Sequence, residues 1–141
     1  MFVLDTNVIS ELMRPAPNPA VFAWVAARPR SALYTTSITR AEILSGIEIM
    51  PEGKRRTTLS EAATTMFDEE LRGRILAFDG TAADHYAEIA VGRRRAGAAI
   101  NAFDALIAAT ARAARAVMVT RDANGFAGCG LTIINPWEAH D

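Results

Sequence analysis

One cysteine among 141 residues, Cys129, excludes a disulfide within the chain and suits a reducing cytoplasm. With only two histidines beside it, paired Cys/His ligand sets of the zinc type are missing too. Charge of one sign is also lacking: fifteen Lys and Arg oppose sixteen Asp and Glu, a net charge of -1. Bulk attraction to a polyanion is therefore not expected, and any nucleic acid must be held by a local patch. No apolar run is long enough to span a membrane. The start of the chain lacks a basic lead and reaches Asp5 too soon for a secretory signal. Repeats, low-complexity tracts and segments disordered by composition are absent. What is present is a chain with 50% hydrophobic residues. Residues 1–141 read as a single domain with enough length to bury a core.

The stretch Phe2-Val3-Leu4-Asp5-Thr6-Asn7 sets the frame. Three apolar residues run into an acid and then into turn-type residues, the pattern of a short buried strand. Asp5 then stands at the carboxyl end of the first strand, the side on which open α/β sheets bind ligands. Taken alone, it reads first as a helix cap.

Val8 to Met13 reads as a short helix stopped by Arg14-Pro15-Ala16-Pro17. Asn18-Pro19 is a cap with proline at the first helical position, and Ala20 to Ala27 continues that helix with Phe22 and Trp24 as core candidates. Leu33 to Thr36 is a second strand, and Ser37 caps a helix over Ile38 to Met50. On that helix Ile38, Glu42, Ser45 and Ile49 share a face. Glu42 is therefore expected to be poorly solvated; a surface pairing with Arg40 is the plainer alternative. Gly46, which costs about 1 kcal/mol against Ala in mid-helix, suggests close packing of a neighbouring backbone.

Lys54 to Arg72 reads as a longer helix with Leu59, Ala62, Ala63, Met66, Phe67 and Leu71 as its apolar stripe. Ile75 to Phe78 is a third strand and Asp79-Gly80-Thr81 a turn and cap. Ala82 to Ala96 is helical, carries His85 as a surface residue, and ends in Arg93-Arg94-Arg95. There cations favour the helix dipole; contact with phosphate is the alternative. After a loop at Gly97 to Ile100, Asn101 opens a helix to about Arg115, with Asn101 and Asp104 spaced as a capping box. Ala105 to Ala111 is small and apolar nearly all round, so this helix should be deeply buried with an acid on its first turn. Ala116 to Val119 is a fourth strand running into Thr120-Arg121-Asp122, followed by the turn composition of Asp122-Ala123-Asn124-Gly125. Leu131 to Ile134 is a fifth. Strands alternating with helices predict an α/β fold: a three-layer α/β/α sandwich around a central, mainly parallel sheet of about five strands.

Four acids thus occupy comparable places. Asp5 and Asp122 end strands, and Glu42 and Asp104 lie in the first turns of helices, so all four can converge at one edge of the sheet. Two carboxylates about 4 Å apart repel by roughly 4 kcal/mol at an effective dielectric near 20; four do not gather without protons or a cation. Oxygen-only ligands point to a hard ion, Mg²⁺ or Mn²⁺. Such an ion lowers the pKa of a bound water and stabilises charge on a phosphodiester. Thr6 and Thr120 are placed to hydrogen-bond a carboxylate or such a water.

The segments Leu4-Asp5-Thr6-Asn7, Ala41-Glu42-Ile43-Leu44-Ser45-Gly46, Asp104-Ala105-Leu106-Ile107-Ala108-Ala109-Thr110-Ala111 and Val119-Thr120-Arg121-Asp122 resemble the successive acidic motifs of PIN-domain proteins. More narrowly, the chain is similar to the VapC toxins, including their FitB-like branch, over nearly its whole length. The resemblance implies a PIN-like sandwich and a metal-dependent endoribonuclease that is the toxin of a type II toxin–antitoxin pair. It also implies a homodimer, a small antitoxin whose tail blocks the acidic site, a hetero-oligomer with that antitoxin on operator DNA, and a cytoplasmic location without a membrane. The family's metal-binding and catalytic positions fall on Asp5, Glu42, Asp104 and Asp122, and Thr120 matches the hydroxyl residue that accompanies the last of them. There is one departure. Many relatives carry Asn where Asp122 stands and an acid in the place of Gly125, so the fourth acid is moved here. RNA needs cations beside the acids, and Arg40, Arg93, Arg94, Arg95 and Arg121 are the candidates.

Two other readings compete. A phosphoryl-transfer protein of the receiver or haloacid-phosphatase kind also places Asp after a strand. But Asp5-Thr6-Asn7-Val8 lacks the second aspartate of a phosphatase, and no lysine follows a late strand as in a receiver. A PIN-like module that binds RNA or a protein without cutting is disfavoured only by the completeness of the acids.

Overall fold

The apolar run at the start forms β1 (Phe2–Leu4), the centre of a five-stranded sheet in the computed structural model, which describes residues 1–138. β2 (Leu33–Thr36), β3 (Ile75–Leu76), β4 (Val117–Val119) and β5 (Ile133–Ile134) complete it in the order β3-β2-β1-β4-β5. Every pairing is parallel. The chain builds outward from β1 to β3, then returns to β1's other side for β4 and β5. β1 and β4 therefore flank the point where the winding reverses, and the crevice beyond their carboxyl ends is the natural ligand site of such a sheet.

Alternation along the strands sorts side chains into two cores. Leu4, Leu33 and Val119 face one, with Val8, Ile9, Val21, Trp24, Ile43 and Phe67. Val3 and Met118 face the other, with Ile89, Ile107, Ala108 and Phe126. A slip of one residue in β1 would exchange the two faces. α1 (Thr6–Leu12), α2 (Pro19–Ala26), α3 (Ser37–Glu48) and α4 (Lys54–Thr64) fill the first core. α5 (Gly80–Arg95) and α6 (Ala102–Ala113) fill the second, to which Ile38 at the start of α3 also contributes. The expected three-layer sandwich is present. α6 is buried at Ala105 and from Ile107 to Ala111, as its small apolar sequence predicts, and it stops where Arg115 takes a left-handed φ of 55°. Among the described residues no helix is long and apolar enough to cross a membrane.

Several details depart from the sequence reading. Phe22 and Trp24 cannot both face the core: two residues apart, they lie about 200° apart on a helix. Trp24 is buried, and Phe22 is 58% exposed. Thr36, not Ser37, caps α3, its hydroxyl accepting from the Thr39 amide at 3.1 Å. A Cβ at Gly46 would meet no neighbour within 4 Å, so the glycine marks no close approach. Ile49, just past the end of α3, is 85% exposed, and the apolar flank expected around Glu42 is absent on that side. The long helix from Lys54 ends at Thr64 and continues as a wider π turn over Thr65–Glu70, closed by the Leu71 amide on the Met66 carbonyl at 2.9 Å. An apolar stripe stepping by four, as from Ala63 to Phe67 to Leu71, drifts about 40° per step on an α-helix; the wider turn takes up that drift and keeps Phe67 and Leu71 buried. β3 and β5, paired on one side only, are two residues each rather than four.

Candidate active site

Asp5 leaves β1 at the reversal point. Its backbone amide continues the ladder to the Val119 carbonyl at 2.9 Å, which fixes it beside the end of β4. It also caps α1, one carboxyl oxygen accepting from the Thr6 amide at 2.8 Å. The other accepts from the Thr120 hydroxyl at 2.7 Å. The cap and the candidate site position thus fall on one side chain. Thr120 is fully buried, and its hydroxyl accepts from the Asp122 amide at 3.0 Å and the Asn7 side-chain amide at 3.3 Å. With both lone pairs engaged, its single proton is committed to Asp5.

Glu42, on α3, is held by a second hydroxyl. Thr6 donates to its Oε1 at 2.7 Å. Thr39, 3.0 Å from the Thr6 oxygen, then donates to Thr6, and Thr36 lies behind Thr39 at 3.4 Å. Asp104 sits on the first turn of α6, its amide on the Asn101 side-chain oxygen at 2.9 Å and its carboxylate accepting from the Asn101 side-chain amide at 2.7 Å. The expected cap is there, with side chain meeting side chain. Asp122 folds back to accept from the Gly125 amide at 3.0 Å. A Cβ on Gly125 would overlap that carboxyl group, so the glycine makes room for the acid.

The four acids share an electrostatic neighbourhood. Burial pushes the Asp5 carboxyl from 3.8 up to about 6; the hydrogen bonds from Thr120 and Thr6 oppose the rise, and the charges of Asp104 and Glu42 add to it. Burial also raises Asp104, against its Asn101 bond and with the Asp122 charge. Among the described residues none of these four acids forms an ion pair. The donors are all oxygen, which suits Mg²⁺ or Mn²⁺, although among the described residues no three carboxyl, imidazole or thiol groups already stand at chelating spacing.

The candidate cations are less uniform. Arg40 faces Asp68 at 3.6 Å, over the Phe67 ring. Arg121 lies over Trp137 at 5.0 Å, its amide on the Asn7 oxygen at 3.3 Å. Arg94 and Arg95 are exposed. Arg93 is turned onto backbone carbonyls, with its Nη1 on Gly125 at 2.7 Å. Asn7 and Thr39, not among the residues expected at the site, also support the acids. Their signal was spacing: Asn7 two residues beyond Asp5, and Thr39 one helical turn before Glu42.

Comparison with known proteins gives a consistent picture. The PIN domain family matches residues 2–128. A VapC ribonuclease, Y4jK, of Sinorhizobium fredii is 44% identical over 138 residues, covering 98% of this chain and 99% of the relative. The toxin FitB of Neisseria gonorrhoeae is 38% identical, with 98% and 99% covered. A solved structure of FitAB bound to a DNA fragment superposes with a TM-score of 0.91 at 37% identity, over 100% of this chain and 99% of that one.

Proposed function

The chain belongs to the PIN domain family, and from that premise we propose that it is a metal-dependent endoribonuclease, the toxin of a type II toxin–antitoxin pair in the cytoplasm. The observation that supports the proposal is that Asp5, beyond the carboxyl end of β1, feels the charges of Asp104 and Glu42, and Asp104 that of Asp122. Asp5, Asp104, Glu42 and Asp122 would hold Mg²⁺ or Mn²⁺. When bound, the ion supplies positive charge against that developing on the phosphodiester and lowers the pKa of a water. The chain's own part is orientation. Thr120 and Thr6 each commit a proton to a carboxylate and fix its lone pairs, and Asn101 does the same for Asp104. RNA phosphates would meet Arg94, Arg95 and Arg121 at the rim.

The antitoxin is expected to present Arg or Lys to the same acids. An apolar groove of about 570 Å³ between α1, α2 and the π turn, lined by Leu12, Met13, Phe22, Val25, Met66 and Leu71, offers its chain a seat. This explains the exposure of Phe22. The FitAB complex of a relative, bound to a DNA fragment, supports such a partner and a DNA-bound assembly; a homodimer of this chain within it is part of the proposal.

Cleavage of single-stranded or loop RNA is expected with Mg²⁺ or Mn²⁺ and not in excess EDTA. Full-rate cleavage in EDTA sinks the metal dependence; a folded chain that binds RNA and never cuts it is a binding module instead. Gly125→Ala supplies a finer test. Its obstacle is the end of a flexible side chain, so stability should change by less than about 1 kcal/mol. Asp122 must nevertheless leave its place, and cleavage should fall at least tenfold. An unchanged rate would remove Asp122 from the site.

A further inference from the structure

We propose that Arg93 is a positioning residue of the acidic site, a fork that ties the connection leading into α6, which carries Asp104, to the turn that follows Asp122. The inference rests on the ribonuclease reading. Arg93 lies in the last turn of α5. Its Nε donates to the Ala98 carbonyl at 2.6 Å, and its Nη1 to the Gly125 carbonyl at 2.7 Å and the Ala127 carbonyl at 2.9 Å. Ala98 belongs to the connection that leads into Asn101, whose side chain holds Asp104. Gly125 and Ala127 belong to the turn after Asp122.

Gly125 is gripped from both sides: its amide donates to the Asp122 carboxylate at 3.0 Å while its carbonyl accepts from Arg93. Among the described residues no carboxylate stands within ion-pair distance of Arg93. Its guanidinium is spent on carbonyls. Three carbonyls on two loops are met by donors in a fixed plane, which an ammonium on a flexible stem does not reproduce. Arg93 therefore differs from Arg94 and Arg95, its exposed neighbours: it sets where two acids stand instead of contacting RNA.

The test compares the parent with Arg93→Lys and Arg93→Met. It measures thermal unfolding, kcat and KM for RNA cleavage, the salt dependence of RNA binding, and Mn²⁺ affinity by titration of the folded chain. Supporting groups behind a metal site typically cost roughly ten- to a hundredfold in affinity or activity when removed. Both variants should lose at least about tenfold in kcat and in Mn²⁺ affinity, while the salt slope of RNA binding stays that of the parent. Arg93→Lys keeps the charge, so it separates fork from phosphate contact, and it decides alone if Arg93→Met does not fold. Full kcat and full Mn²⁺ affinity in Arg93→Lys overturn the proposal. So does a salt slope reduced by about one in Arg93→Met with kcat unchanged at saturating RNA. A parent that binds Mn²⁺ without cutting RNA refutes the ribonuclease reading alone, and Mn²⁺ affinity then decides the role of Arg93. A parent that does neither removes the site and the proposal with it.

Discussion

Asp5→Asn is expected to lower RNA cleavage by orders of magnitude while making the metal-free protein more stable. On the proposed metal-dependent reading, the loss follows from removing a carboxylate that would hold the ion. The gain follows from the Asp5 carboxyl, raised by burial from 3.8 to about 6. A folded state that binds a proton more tightly than the unfolded chain loses stability as pH rises between the two values. That gap is worth about 3 kcal/mol: the penalty is nearly absent below pH 4 and fully present above about pH 6. Asn carries no such penalty. One of its two polar atoms is a donor, however, so it cannot accept from both Thr6 and Thr120, and a hydrogen bond worth about 1 kcal/mol is lost.

The balance favours the Asn variant by about 1–2 kcal/mol at pH 7 in EDTA, and the advantage should vanish near pH 4. Added Mg²⁺ should stabilise the parent more than the variant. Asp5→Ala, which also loses the cap on α1, should fall below Asn by about 1 kcal/mol. Melting curves of the three proteins in EDTA and in Mg²⁺, across pH, decide the matter beside a cleavage assay. Equal Mg²⁺ shifts in all three, with normal cleavage by the Asn variant, would place the site elsewhere.

Phe126→Ala should give the largest loss of stability, about 3–5 kcal/mol. Phe126 is among the largest fully buried side chains and packs in one cluster with Ile107, Met118 and Cys129. It follows Gly125 directly, so the cavity opens beneath the turn that carries Asp122. Against a total stability of about 5–15 kcal/mol, such a loss leaves a marginal protein. Urea unfolding measures it. A cost under about 1 kcal/mol with an unchanged m-value would mean that the second core closes over the gap and that Phe126 does not anchor the turn.

The two cores and the centre of the sheet were legible because their signals are local. Phe2-Val3-Leu4 and Val117-Met118-Val119 are apolar runs that stop at polar residues, and both became inner strands. The edge strands were overdrawn, since pairing on one side stabilises fewer residues than an apolar run suggests. Phe22 was misread because apolar character alone does not say which way a helix turns. At the site, the acids stood out by their place after strands or at the start of a helix, except Glu42, which was expected in the first turn of its helix and lies in the second turn of α3. The supports of the acids did not stand out. Thr39 and Asn7 matter only through partners 33 and 113 residues away, on Thr6 and Thr120. A run of arginines likewise reads as one surface feature, whereas the fold takes Arg93 out of it and leaves the other two to solvent.

The strand order has a consequence during synthesis. The bond between Asp5 and Thr120 joins residues 115 apart, and β1 finds β4 only after β2 and β3 are laid down. Such distant pairing is slow to form, and a chain emerging at about 5–20 residues per second exposes Asp5 and Glu42 seconds before Asp104 and Thr120 exist. A ribosome carrying the first three strands holds a half-built sheet with an unpaired β1 edge and an incomplete acid set. The acid set at the sheet's reversal point is therefore incomplete until residues 104 to 122 have left the exit tunnel.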